Sequence, residues 1–225
     1  MSENHAEENL FAVQESYKAI RTNIILSVIK DGCKKIVVTS SVADEGKSTT
    51  AVNLAISLAQ AFNKVLIMDC DLRKPRVHKA LGLPKDPGLA NLVSGLSEYN
   101  EVVQQTRYQN LWMLGAGLTA PNPSEILASQ KMLSLVESLE KDFDYIIFDT
   151  PPINVVSDAL PVISFSDGTV LVVRSGVSVY SEIDKALASL KFIEAKIIGI
   201  IVNDDNSKMS GNYYGRYGKY GDRQS

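Results

Sequence analysis

The sequence predicts an α/β fold, a doubly wound and mostly parallel sheet with helices on both faces. Two observations carry that expectation. Short continuous apolar runs recur along the chain, as strands buried on both faces require, and they alternate with stretches of helical spacing. A third points to function: a Gly-Lys-Ser-Thr segment joins the first apolar run to the helical stretch behind it.

In order, KKIVVTS (34–40) reads as a strand, and GKSTTAVNLAISLAQAF behind it has helical spacing of Leu54, Ile56, Leu58, Ala59 and Phe62. Further strands are expected at 64–69, 110–117, 144–150, 168–176 and 195–204, with helices over 123–143 and 181–194. The expected organisation is an N-terminal helical segment (1–33), a nucleotide-binding domain (34–204) and a flexible Tyr-rich tail (205–225). At 225 residues, 45% hydrophobic and 22% charged, the chain suits one core-bearing domain with short appendages. A net charge of -3 supplies no general basic field, so composition offers nothing to a nucleic-acid partner. The polar start, and apolar runs far short of the ~20 residues of a bilayer span, set a cytoplasmic expectation. Cys33 and Cys70 have neither metal-ligand nor disulfide spacing, which fits a reducing compartment.

In a doubly wound sheet ligands bind beyond the carboxyl ends of the strands. Three such ends carry chemistry. Ser41-Val42-Ala43-Asp44-Glu45-Gly46-Lys47-Ser48-Thr49 follows G-x-x-x-x-G-K-[ST], with Ser41 in the place of the first Gly. Its backbone N–H groups and the helix N-terminus would cradle phosphates, Lys47 would reach the β and γ phosphates, and Ser48 would hold Mg²⁺. Asp69 and Asp71, two apart after VLIM, share one face of an extended segment, one near a metal and the other placed to accept a proton. Two solvated acids capping a turn are the alternative. Asp149 ends YIIF and is followed by Thr150-Pro151-Pro152, a Walker-B arrangement facing Mg²⁺. Together they make the fold P-loop NTPase-like, with more acid than a phosphate clamp needs.

On these motifs the chain resembles the bacterial tyrosine kinases of capsule and exopolysaccharide synthesis. DLRKPRVHKALGL, APNPSEIL, DTPPINVVSDAL and the terminal tyrosine cluster extend the likeness along nearly the whole chain. The resemblance implies ATP and Mg²⁺ as cofactors, with Lys47 on the phosphates, Ser48, Asp71 and Asp149 on the metal, and Asp69 as base. It implies phosphorylation of protein tyrosines, including Tyr213, Tyr214, Tyr217 and Tyr220 on neighbouring subunits. It further implies a cognate tyrosine phosphatase and a separate membrane activator of the polysaccharide co-polymerase type, whose cytoplasmic tail recruits the kinase to the inner membrane face. Family members carry an E-x-x-R-x-x-R ring element, which here reads Glu15, Lys18 and Arg21. Spacing of three sets them on one helix face, for a homo-oligomeric ring or for a solvated face, and Lys18 loses an arginine's bidentate geometry.

Asn203, after the last strand, would read the adenine edge or form a turn. Arg174 would face phosphates or a neighbouring subunit, or pair with an acid of the site. A switch ATPase of the division-site-selection and partition kind is the rival reading, but its signature second lysine would stand at Val42. The tail from 204 on carries a balance of +1, which suits an acid-lined site; phosphorylation of its four clustered tyrosines at about -1.5 to -2 each would then repel it and loosen a ring.

Overall fold

The computed structural model describes residues 2–203, with side chains from residue 11 onward. Tyr213, Tyr214, Tyr217 and Tyr220 lie outside the described residues. The chain opens with α1 (Ser2–Ser27), then β1 (Lys34–Ser40), α2 (Lys47–Gln60), β2 (Val65–Asp69), α3 (Val77–Leu81), α4 (Leu89–Val93) and α5 (Tyr99–Val102). It continues through β3 (Val103–Gln105), β4 (Leu111–Leu114), α6 (Pro123–Leu127), α7 (Gln130–Leu139) and β5 (Tyr145–Asp149). The last elements are α8 (Ala159–Ser164), β6 (Gly168–Arg174), α9 (Tyr180–Phe192) and β7 (Ile197–Asn203).

The seven strands form one sheet in the order β3-β4-β2-β5-β1-β6-β7. Every pairing is parallel except that of the edge strand β3 with β4. Alternate side chains of the central strands feed two cores, which is why those strands read as unbroken apolar runs. Ile146 and Phe148 of β5 join Leu66, Met68, Val136 and Leu190 on one face. Tyr145 and Ile147 join Ile36, Val38, Leu54 and Leu58 on the other. Helix α2 covers this second face with Ala51, Leu54, Ala55, Leu58 and Ala59, the i, i+3, i+4 stripe its sequence announces. Phe62 falls past the end of α2 and is exposed, against its expected place on that stripe.

One expected helix is two. Residues 123–143 divide because the Ser129 side chain accepts the N–H of Met132 and caps a new helix, α7, two residues after α6 ends. Helix α1 docks on α2 through Ile24 and Val28. Arg21 joins them, its Nη1 donating to the Ser57 carbonyl at 2.6 Å. No described helix is long and apolar enough to cross a membrane.

Candidate nucleotide and phosphoryl-transfer site

Strand order creates the site. β2, β5 and β1 are neighbours, so the ends of three segments far apart in sequence converge. Asp69 and Asp149 stand opposite each other in register. The loop from Ser41 to Gly46 leaves the end of β1 beside them and enters α2 at Lys47.

Lys47 Nζ lies 2.8 Å from Asp71 Oδ2, 3.6 Å from Asp149 Oδ1 and 3.2 Å from the Ser48 hydroxyl. Burial alone pulls this ammonium's pKa down, but the Asp149 and Asp71 carboxylates overcome it and hold the pKa above that of an ordinary lysine. Asp69 is fully buried. Its Oδ2 accepts the N–H groups of Arg76 and Val77, each at 3.1 Å, at the start of α3, while Oδ1 has no hydrogen-bond partner. Burial first, and the Asp149 charge second, push the Asp69 carboxyl well above the usual carboxylate range. Asp149 is raised as well, by burial, against the opposing pull of Lys47 and the Ser48 hydroxyl.

Both carboxylate oxygens of Asp149 are buried, and the Ser48 hydroxyl and Lys47 ammonium approach them without either making a well-formed hydrogen bond. Such orphaned oxygens beside Ser48 and Asp71 form a hard donor set that suits Mg²⁺. Among the described residues no cluster of three or more His, Cys, Asp or Glu is arranged to hold a metal by itself.

A cavity of about 580 Å³ opens over these groups, lined by the loop residues Ala43, Asp44 and Gly46, by Lys47, Ser48 and Thr49 of α2, and by Asp71 and Asn203. The rest of its wall sets four cationic residues, Lys74, Arg76, Lys79 and Arg174, beside Ala80 and Pro152. Of the acids expected to receive a basic tail, Asp69 and Asp149 are wholly buried and Asp71 is paired with Lys47, while Asp44 lines the cavity beside the cations. Gly46 adopts φ +91°, and a Cβ on it would fall 2.0 Å from Asn203 Nδ2. Glycine is required there on both counts.

The loop residues divide into two sets. Ala43, Asp44 and Gly46 face the cavity, whereas Ser41, Val42 and Glu45 do not line it. The Val42 N–H, expected among the phosphate donors, is spent on Glu45 Oε2 at 2.8 Å. Asn203 Nδ2 donates to the Glu45 carbonyl at 3.2 Å, and Arg174 Nη1 to the Asp44 carbonyl at 3.3 Å, so both brace the loop. Arg73 extends from the Asp69/Asp71 segment to form a two-pronged pair with Asp158, at 2.6 and 3.1 Å. Sequence reading assigned Asp158 nothing; its one signal was the polar residue inside VVSDAL. Away from the site, Glu15 and Lys18 pair with each other at 2.6 Å on an exposed face, but Arg21 turns to Ser57. The three do not share one outward face, because packing of α1 on α2 claims the arginine.

A family model described as an AAA domain matches residues 33–199. The putative tyrosine-protein kinase CapB of Staphylococcus aureus is 37% identical over 207 residues, 92% of this chain and 91% of that protein. The tyrosine-protein kinase YwqD of Bacillus subtilis is 39% identical over 211 residues, 94% and 87% of the two chains. Among solved structures, the chimerical protein CapA2B2 matches with a TM-score of 0.81 at 36% identity, covering 84% of this chain and 83% of that one. The cell-division ATPase MinD of Pyrococcus furiosus, at 24% identity and a TM-score of 0.65 over 76% of this chain and 71% of that one, shares the fold alone. Fold and site thus define a nucleotide-binding P-loop domain of the AAA class. Within that class, the chain belongs to the bacterial tyrosine-protein kinase family.

Proposed function

We propose that the chain transfers the γ-phosphoryl group of ATP to protein tyrosines, its own Tyr213, Tyr214, Tyr217 and Tyr220 among them, and thereby regulates capsular or exopolysaccharide synthesis and chain length. The observation that carries this is the convergence of Lys47, Asp69, Asp71 and Asp149 at adjacent strand ends.

The three carboxylates share the cation of Lys47, which Asp149, Asp71 and Asp69 all attract. When Lys47 turns to the β and γ phosphates, the carboxylates lose that shared charge and Asp69 becomes a stronger base. Asp69 Oδ1, free of hydrogen bonds, accepts the phenolic proton as the tyrosine oxygen bonds to the γ phosphorus and the bond to the ADP oxygen breaks. Ser48, Asp71 and Asp149 would hold Mg²⁺, which when bound would neutralise phosphate charge. Backbone N–H groups of the lining residues Ala43, Asp44 and Gly46 to Thr49 orient the phosphates, and Asn203 in the cavity wall reads the adenine edge. The cytoplasmic tail of a membrane polysaccharide co-polymerase-type activator recruits the kinase to the inner face of the membrane, a tyrosine phosphatase resets it, and subunits assemble in a ring. Family likeness supports these partners; the relatives' full-length match to this chain is the basis for carrying them over.

Incubation of the purified protein with an activator fragment, ATP and Mg²⁺, followed by mass spectrometry, is expected to show phosphotyrosine in the tail. Lys47→Met is expected to abolish it, and equal labelling of that variant would sink the reading. Mixing Lys47→Met protein with a tail-deleted active partner tests direction. Label on the inactive chain is expected, since transfer between subunits is proposed; no label there would argue for transfer within one subunit.

A further inference from the structure

Two features remain without a task in the kinase reading: Ser41 in the place of a glycine, and the side chain of Glu45. Glu45 is fully buried beneath the phosphate loop. Three donors meet its carboxylate. The Ser41 hydroxyl donates to Oε1 at 2.7 Å, the Ser178 hydroxyl donates to the same oxygen, and the Val42 N–H donates to Oε2 at 2.8 Å. Ser178 Oγ in turn accepts the N–H of Arg174 at 2.7 Å. The Glu45 carbonyl takes the Asn203 amide, and the Asn203 carbonyl accepts the N–H of Ser175 at 2.9 Å. On the far side the Asn154 N–H reaches the Ser41 carbonyl at 3.3 Å. Three segments therefore meet at Glu45, the phosphate loop, the β6–α9 connection and the end of β7, and the stretch after β5 joins them through Ser41.

Electrostatics argues against a carboxylate here for its own sake. A buried negative charge next to a phosphate cradle repels the ligand in a medium that screens poorly. What offsets that repulsion is shape. With its acceptor sites filled by two hydroxyls and one backbone N–H, the carboxylate holds the loop from behind and turns Val42 inward, leaving Ala43, Asp44 and Gly46 toward the cavity.

We propose that Glu45 is a positioning residue for nucleotide binding, clamped by Ser41 and Ser178, so that the shape of the phosphate loop depends on the β6–α9 connection. Ser41 is then no defect in the motif, since a glycine there would remove one of the clamp's donors. The inference rests on the nucleotide reading of the cavity.

The test uses the full-length protein, a fluorescent ADP analogue and steady-state kinetics in ATP. Glu45→Gln keeps the shape, but its amide nitrogen cannot accept, so either the Val42 bond is lost or the Ser41 and Ser178 hydroxyls must turn from donors into acceptors and their own protons lose their partner. Nucleotide Kd and the KM for ATP are expected to rise on the order of 5- to 20-fold, with kcat at saturating ATP within about twofold, the signature of lost binding common to ground and transition states. Ser178→Ala is expected to weaken binding roughly 3- to 5-fold, whereas Ser178→Thr, which keeps the hydroxyl, stays near wild type. The double variant Glu45→Gln/Ser178→Ala should bind about as weakly as Glu45→Gln alone, because both changes break one network. Wild-type affinity in Glu45→Gln, multiplying effects in the double variant, or a Ser178→Thr as weak as Ser178→Ala would each overturn the proposal. Should Glu45→Gln fail to fold, the Ser178→Ala and Ser178→Thr pair decides alone. A wild-type protein that binds no nucleotide would instead remove the underlying site reading, an outcome visible before any variant is made.

Discussion

Asp69 and Asp149 stand in register at the ends of β2 and β5, both fully buried, an arrangement that opposes folding and favours chemistry. Both carboxyls are raised, so each favours the folded chain in its protonated form. That contribution is complete below the ordinary aspartate value of 3.8 and is lost as pH climbs through the raised one. Asp69→Asn keeps an oxygen for the Arg76 and Val77 N–H groups but cannot ionise. It is therefore expected to raise Tm at pH 7.5, by roughly 2–4 °C per kcal/mol recovered, with the gain shrinking toward pH 4 in a melting series. Tyrosine transfer should fall on the order of 100-fold while nucleotide affinity changes little. Parallel loss of binding and transfer would assign Asp69 to binding or folding instead. Each of these acids was legible in the sequence, because a carboxylate after an apolar β-branched run can scarcely be anything but a strand end. Glu45 was read there only as part of a backbone cradle, since nothing local tells a side chain to turn under its own loop and meet Ser178, 133 residues away.

At the scale of elements, the apolar runs identified six of the seven strands, and only the short edge strand β3, two of whose three residues are glutamine, escaped. Its pattern is too brief to carry a period. The division of 123–143 escaped for a different reason: the apolar spacing of α6 and α7 runs on without a visible break, and only a capping geometry separates them. Ser129→Ala removes the acceptor for the Met132 N–H and is expected to cost about 1 kcal/mol, lowering Tm by roughly 2–4 °C with tyrosine transfer unchanged. A melt that does not move would show that the cap contributes nothing to α7. Helix α1 separates two roles that the sequence had placed together. Arg21→Ala is expected to lower Tm by a few degrees through loss of its bond to the Ser57 carbonyl, worth about 1 kcal/mol, whereas Lys18→Ala leaves the melt alone, its exposed pair with Glu15 contributing little. If the exposed face of α1 joins subunits, sizing chromatography of Lys18→Ala shows smaller assemblies; an unchanged elution position would take Glu15 and Lys18 out of any interface.

Across the whole molecule, charge is distributed in a way no count of residues conveys. The net charge is -3, yet the cavity mouth carries Lys74, Arg76 and Lys79, whose side chains form no ion pair among the described residues. Asp69 and Asp149 lie inside, whereas Lys74, Arg76 and Lys79 stand at the mouth with Asp44, so a phosphotyrosine approaching it would meet more cations than the repelling acids alone predict. By itself the sequence determined the class of fold, the phosphate loop, the acids of the site and the family, since hydrophobic period and motif spacing are local properties. Tertiary structure alone decided that β2, β5 and β1 lie side by side, that Lys47 binds carboxylates in common, that Arg21 belongs to the fold, and that Glu45 ties the phosphate loop to the β6–α9 connection and the end of β7. Those follow from strand order and packing, which depend on contacts between residues distant in sequence and so leave no periodic trace along the chain.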